Sequence, residues 1–444
     1  MNQLRVGHAK CDITPKIGCY LQGNTNTRIT EKVHDPLHVR CVMFENEGTA
    51  ILLYYDLVGI KQGLSEGIRE FVAEAIGCQR EDVFVSCTHT HTGPNVNNAA
   101  FPKDEAYIES LKHISAQAAR MAKNDLHPAE LFFARDTLDG LNFCRRYRMK
   151  DGSVRTNPGT NNPEILEPMN DGDNVIQLLK ITREGAGDIA LVNFQCHADV
   201  VKKIDGVHSV SADYPGAVCD TLEGAIPGLS CVYCNGPNGD LVQGDQMHQP
   251  EWDNRRCWNH ALHMGRTIAG KILGMYTKAR PIEAGVVKTT EKVMDLPLKQ
   301  PTAEQIESAK KVLEAYEKGE FVIRSQNPYT MEDTTTLYEA RVNVGLSKMT
   351  EKAQARVSAF SVGDFAVAGI PGEPFSEIGK RIRNATPFAA QFSLCLTNGC
   401  EGYFPMEDAF GVDGYESRTT KFRAGIGETM ADTALELLNA LKNK

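Results

Sequence analysis

The chain has no excess of positive charge: 48 Lys+Arg stand against 57 Asp+Glu, a formal net charge of −9 over 444 residues. Nucleic acid is therefore not an expected partner, because phosphate binding needs a cationic surface. No apolar run approaches the ~20 residues of a membrane helix, and the longest, residues 51–60, is interrupted by Asp56. The N-terminal MNQLRVGHAK lacks the apolar core of a secretion signal, so a cytoplasmic chain is expected. Low-complexity linkers are missing, as are repeats of roughly 20–50 residues, which excludes solenoids and arrays. The 13 cysteines are odd in number and irregular in spacing. The single CxxC, Cys231 to Cys234, has no second pair to complete a zinc site, so the cysteines read as reduced, mostly buried thiols. With 41% hydrophobic and 24% charged residues the chain is an ordinary folded protein.

Strand-like and helix-like runs alternate. Strands are expected at 38–44, 50–55, 82–87, 130–135, 174–182, 189–196, 229–234, 355–362, 365–370 and 391–396. Helices are expected at 64–76, 105–123, 253–277 and 302–319, with one more at the C-terminus; Thr302 and Gln305 have capping-box spacing. This interleaving predicts an α/β fold, a mixed β-sheet layered with helices. The loop at 156–170 is either a lid or a surface excursion, and together with 324–337 it should shape any pocket.

The polar clusters fall where strands end, the usual place for sites in α/β proteins. Cys87-Thr88-His89-Thr90-His91-Thr92-Gly93-Pro94 follows a strand directly. Side chains at i and i+2 of an extended segment point the same way, so His89 and His91 should face one site. HxH is a usual zinc arrangement; the alternative is a pair of polar residues making ordinary hydrogen bonds. His197 ends the run 189–196 similarly, and His208 is a weaker candidate. Asp213, in Ser211-Ala212-Asp213-Tyr214-Pro215-Gly216, either orients a ligand histidine or caps the following helix. Pro371-Gly372-Glu373 adds a carboxylate at a third strand end. Histidines from separate strands plus one carboxylate make a plausible zinc set with room for a water. The loop Asn398-Gly399-Cys400-Glu401-Gly402-Tyr403-Phe404-Pro405 and the segment Gly414-Tyr415-Glu416 each carry a tyrosine. The loop Asn235-Gly236-Pro237-Asn238-Gly239-Asp240 forms either an anion-binding nest of amides or a tight turn with Asp240 bonding locally. It is no Walker A loop, since no GK[ST] follows.

In this order the motifs resemble the neutral/alkaline non-lysosomal ceramidase family, most of all its shorter bacterial members. The likeness runs from Asp12-Ile13-Thr14-Pro15 and His34-Asp35-Pro36-Leu37 through THTHTGP, NFCRRY, SADYPG, GPNGD, IPGEPF and TNGCEGYFP to Gly414-Tyr415-Glu416, nearly the whole chain. The resemblance implies one zinc ion per chain, bound by His89, His197, Glu373 and Tyr403. It places His91 beside the reacting amide rather than on the metal. Tyr415 matches the family's second tyrosine, and Arg145 or Arg146 its strand-end arginine. Two departures stand out. The family's G-D-V-S-P serine is replaced by Val242 in Gly239-Asp240-Leu241-Val242-Gln243, and valine cannot be a nucleophile. The family's β-rich C-terminal domain is also not expected here.

The resulting expectation is a zinc-dependent hydrolase that cleaves an amide (N-acyl) bond by zinc-activated water, in a small molecule more polar than ceramide. Esters, lactones and acetylated sugars stay open as substrates, and Mn or Fe as the metal. From another class, Val242 is consistent with a non-catalytic zinc-holding scaffold. The spread of ligands from 89 to 403 favours one catalytic domain over residues 1–444, and a symmetric homo-oligomer is compatible with it.

Overall fold

The computed structural model describes residues 3–97, 99, 101–250, 253–323, 331–349 and 352–444. Of the expected pocket loop 324–337, residues 324–330 lie outside the described residues.

Three successive stretches of the chain fold in one pattern. Each has three antiparallel strands, a helical crossover to a fourth strand parallel to the third, and a second helix on the same outer face. The first comprises β1 (Arg5–Asp12), β2 (His38–Asn46), β3 (Gly48–Tyr55), α1 (Gln62–Ile76), β4 (Val83–Cys87) and α2 (Glu105–Asn124). The second comprises β5 (His127–Thr137), β6 (Val175–Arg183), β7 (Ile189–Phe194), α3 (Asp213–Ala225), β8 (Ser230–Asn235) and α4 (Trp258–Tyr276). The third begins with β9 (Val287–Leu296), inserts the helical pair α5 (Ala303–Glu317) and α6 (Glu332–Ser347), and resumes with β10 (Ala353–Val362) and β11 (Phe365–Gly369). It closes with α7 (Ser376–Ala385), β12 (Ala390–Leu394), the short α8 (Tyr415–Thr419) and α9 (Ile426–Asn443). The parallel pairs are β3–β4, β7–β8 and β11–β12. The first two units share one sheet through the short pairing of Arg5 with Pro128 and Val6 with His127.

Burial on both faces explains the near-continuous apolar strands. On β3, Ala50, Leu52 and Tyr54 face a central core, while Ile51, Leu53 and Tyr55 face α1 and α2. The central core takes Phe44 and Phe84 from the first unit, Leu179 and Leu191 from the second, and Phe360 and Phe392 from the third. The outer faces are covered by α1 and α2, by α3 and α4, and by α7 and α9. The α/β architecture is thus as expected, though the strands β1 and β9 and the helices α6 and α7 were not anticipated. The capping box forms: Gln305 N–H donates to Thr302 Oγ1 (3.2 Å) and Thr302 N–H to Gln305 Oε1 (2.8 Å). All thirteen cysteines are free thiols. Among the described residues, no helix is long and apolar enough to cross a membrane.

Candidate metal centre and cavity

The segments after β4, β8 and β12 are tied into a ring. Asn235 Nδ2 donates to the Thr88 carbonyl (2.9 Å), and Cys395 N–H to the Asn235 carbonyl (3.2 Å). Val85 N–H donates to Asn398 Oδ1 (2.9 Å), and Asn398 N–H returns to the Val85 carbonyl (2.7 Å). Each unit then presents one side chain to the ring's mouth: His89 after β4, His197 after β7 and Glu373 after β11.

His89 does not arrive there by simple strand alternation. Its φ is +71°, in the left-handed region that non-glycine residues rarely occupy. This backbone turn, not an extended i, i+2 pair, brings the His89 and His91 rings to 4.8 Å at right angles, with their Nε2 atoms 3.3 Å apart. His89 Nδ1 donates to the Val58 carbonyl (2.6 Å) and His197 Nδ1 to the Asn238 carbonyl (2.8 Å). A carbonyl only accepts, so each Nδ1 carries the proton and each Nε2 is left with a lone pair. Those lone pairs face Glu373 Oε2 at 3.4 and 3.3 Å. Glu373 Oε2 is buried and has no hydrogen-bond partner. The ligand-capable nitrogens of His89, His91 and His197 lie within 4.8 Å of one another. Burial, reinforced by Arg145, pulls His197 down to about 4. Acceptors crowded round a buried carboxylate, with backbone carbonyls fixing both imidazoles, fit a divalent cation.

Tyr403 pairs in register with Glu373 through short parallel strands, and its ring lies 5.6 Å from that of Tyr415. Burial, followed for Tyr403 by Glu373 and for Tyr415 by Tyr338, raises both phenols well above their ordinary pKa. Arg145 joins the site: Nη1 is 3.2 Å from His197 Nε2, and its guanidinium stacks 5.3 Å over Tyr403. Glu416 fixes it by accepting from Arg145 Nε (2.6 Å) and from Thr156 Oγ1 (2.7 Å). Arg146 lies over Phe375, its Nε 3.8 Å from Glu416 Oε2. His208 stays outside the cluster. Asp213 bonds to no histidine: its carboxylate accepts from the backbone N–H groups of Val200, Val201 and Tyr214, anchoring the chain beyond His197. In loop 235–240 the amides of Gly236 and Gly239 donate to the carbonyls of Phe194 and Pro374, and Leu241 N–H closes a turn on the Asn238 carbonyl. Asp240 binds Ser376 and Asn170, which secures the segment after Glu373.

A cavity of about 540 Å³ opens over this cluster, walled by His91, His197, Arg145, Tyr403 and Tyr415 on one side. Loop 156–170 is neither a free lid nor an excursion. Ile165–Pro168 pairs with Arg146–Met149 in a small sheet, and Asn157, Gly159 and Thr160 form part of the wall. The N-terminal end of α6 contributes Met331 and Thr334. Sequence reasoning missed Asp199, whose Oδ1 is 3.5 Å from His91 Nδ1, and Gly23, packed on the His91 ring. A Cβ at Gly23 would lie 2.6 Å from that ring, and its φ of +107° also suits glycine. The HAD tripeptide holding His197 and Asp199 was the available signal for the former.

No family model and no curated protein sequence matches the chain. Solved structures do match in fold. The neutral ceramidase from Pseudomonas aeruginosa superposes with a TM-score of 0.75 at 17% identity, covering 99% of this chain and 75% of that one. The fold is that of the neutral ceramidases. A ceramidase complexed with C2 matches equally, with a TM-score of 0.75, 16% identity and the same coverage.

Proposed function

We propose that this chain is a metal-dependent hydrolase cleaving the amide bond of a small, polar N-acyl compound, with residues 1–444 acting as one catalytic domain. The observation that carries the reading is Glu373 Oε2, buried without a partner and facing the lone pairs of His89 and His197. Those three residues and Tyr403 would hold one zinc ion. Bound there, a divalent ion polarises a carbonyl and lowers the pKa of water toward neutrality. The amide preference rests on the ceramidase-like fold and motif order.

The chain's own groups supply the rest. Arg145 Nη2 is buried with no acceptor, so with the protonated phenol of Tyr415 it offers donors to a developing oxyanion. His91 is neutral at pH 7, because burial takes its pKa well below the ordinary value. It can accept a proton, with Asp199 stabilising the imidazolium, and deliver it to the leaving nitrogen. Val242 is buried in a two-residue strand against Phe143–Cys144 and is not part of the cavity wall, so the reading involves no acyl-enzyme there.

Metal analysis of purified protein, combined with an amide and ester panel run with and without chelator, tests this. Close to one zinc per chain is expected, with amide turnover abolished by chelator and metal lost in His197→Ala. A metal-free protein that still turns over would overturn the metal assignment. A zinc-loaded protein inert on the panel would favour the scaffold reading.

A further inference from the structure

Next to His91 the cavity wall carries a cluster of charges. Lys202 and Arg256 both line the cavity and both lean on one carboxylate, Asp199. Arg256 Nη1 is 3.6 Å from Asp199 Oδ2, and Lys202 Nζ bonds Oδ1. Arg28, 5% exposed, donates to neutral carbonyls, among them those of Gln22 (2.7 Å) and His91 (2.8 Å). Lys202 and Arg256 therefore share Asp199 and both reach the cavity, which Asp333 also lines. Asn24, Asn26 and Gln246 surround them, and among the described residues only Ile323 and Met331 bring aliphatic side chains to the cavity. Among the described residues a long acyl chain finds little aliphatic lining, whereas an anionic oxygen group finds two cations held together at the cavity wall by one carboxylate.

Building on the hydrolase reading, we propose that Lys202 and Arg256 form a subsite for an anionic group, carboxylate or phosphate, carried on the leaving-group side of the scissile amide, beyond His91. The substrate class is then an N-acylated small molecule bearing a terminal anion. Docking that anion at Lys202 and Arg256 leaves the acyl carbonyl free to reach Arg145 and Tyr415, which line the same cavity. Arg256 and Lys202 are positioning residues in this scheme; neither touches the reacting atoms.

Calorimetric binding tests this without turnover. N-acetylglycine is compared with N-acetylglycine amide for the carboxylate, and N-acetylglucosamine 6-phosphate with N-acetylglucosamine for the phosphate. At least one anionic probe should bind tenfold or more tightly than its neutral twin. That preference should vanish in Arg256→Gln, a partly exposed position that tolerates the change, and in the Lys202→Gln/Arg256→Gln double variant. Equal binding of both members in both pairs overturns the proposal. So does a preference that survives the substitutions, which would place the anion elsewhere, for instance on the metal. Anion-selective binding without hydrolysis would sustain the subsite while refuting the hydrolase reading. Hydrolysis of neutral amides without anion preference would do the reverse.

Discussion

Gly239→Ala offers a stringent check on how the carboxylate of the site is held. A Cβ on Gly239 would lie 2.4 Å from the carbonyl oxygen of Glu373 and 3.1 Å from that of Pro374. Since Cβ contacts under 3.0 Å are essentially never adopted, the Glu373 peptide must retreat by about 0.6 Å or more. It cannot do so freely, because Gly239 N–H also donates to the Pro374 carbonyl (2.8 Å) and Asp240 clamps Ser376. Overpacking of this kind costs about 1–3 kcal/mol. The same displacement moves the carboxylate away from His89 and His197, and supporting contacts of this type are worth roughly 10–100-fold in metal affinity. Catalysis depends still more steeply on placement, with about 100-fold lost per ångström. The assay is a competitive zinc titration beside urea unfolding, with Gly270→Ala as control, since a Cβ at that position on α4 meets nothing within 4 Å. Weaker zinc binding in Gly239→Ala alone is expected. If Gly239→Ala loses stability but keeps full zinc affinity, Glu373 is not a ligand or Gly239 does not place it.

Glu416→Gln removes the buried carboxylate that fixes Arg145 and should cost about 3 kcal/mol in urea unfolding, because a cation is left uncompensated; a change within experimental error would refute that role. Acid should erode the stability that His8 and His260 contribute between pH 6.5 and 4. Burial together with Arg40 takes His8 to about 4, and burial together with Arg255 takes His260 to about 4, both from 6.5. The unfolded chain therefore binds more protons across that window, and the stability present above pH 6.5 is lost as pH falls. His8→Gln or His260→Gln should flatten the decline in urea midpoints; parallel curves would count against it. Val242→Ser should leave turnover unchanged and cost about 1–3 kcal/mol for a buried hydroxyl; activity appearing only in the serine variant would restore a nucleophile at that position.

Much of the site was legible because strand ends can be read from apolar runs, and a histidine or carboxylate just past such a run has few places to go. His197 and Glu373 were found this way. The geometry of His89 was not, since a positive φ at a non-glycine residue leaves no mark in the pattern. Arg145 and Arg146 were indistinguishable in sequence because facing is set by local register in a four-residue strand, Arg146–Met149 being paired on both sides. Strand β9, VKTTEKVMDL, escaped notice because its stretch 288–292 is polar and its partner β10 decides its conformation. Helix α6 has no clear apolar stripe and is held by packing on α5 and α8. Lys202 and Arg256 are far apart in sequence, and only the fold joins them at Asp199.

The threefold pattern also escaped detection, and its disguise bears on how the site works. The connection between the first two strands of the second unit spans 138–174, and that in the third spans 297–352, which carries α5 and α6. These unequal insertions erase any regular spacing in the sequence. What the units share is topology, and topology alone brings the carboxyl ends of their parallel strands to one mouth. The side chains proposed to meet a metal then come from all three units: His89 from the first, His197 from the second, and Glu373 with Tyr403 from the third. None of the units alone can assemble the set, and the asparagine ring through Thr88, Asn235 and Asn398 fixes their mutual position before any ion arrives. The insertions do the complementary work, since 156–170 and the start of α6 build the wall above the ring. In this arrangement the repeated framework sets the metal-binding geometry, while the unrepeated segments and the Asp199 cluster decide which molecule reaches it.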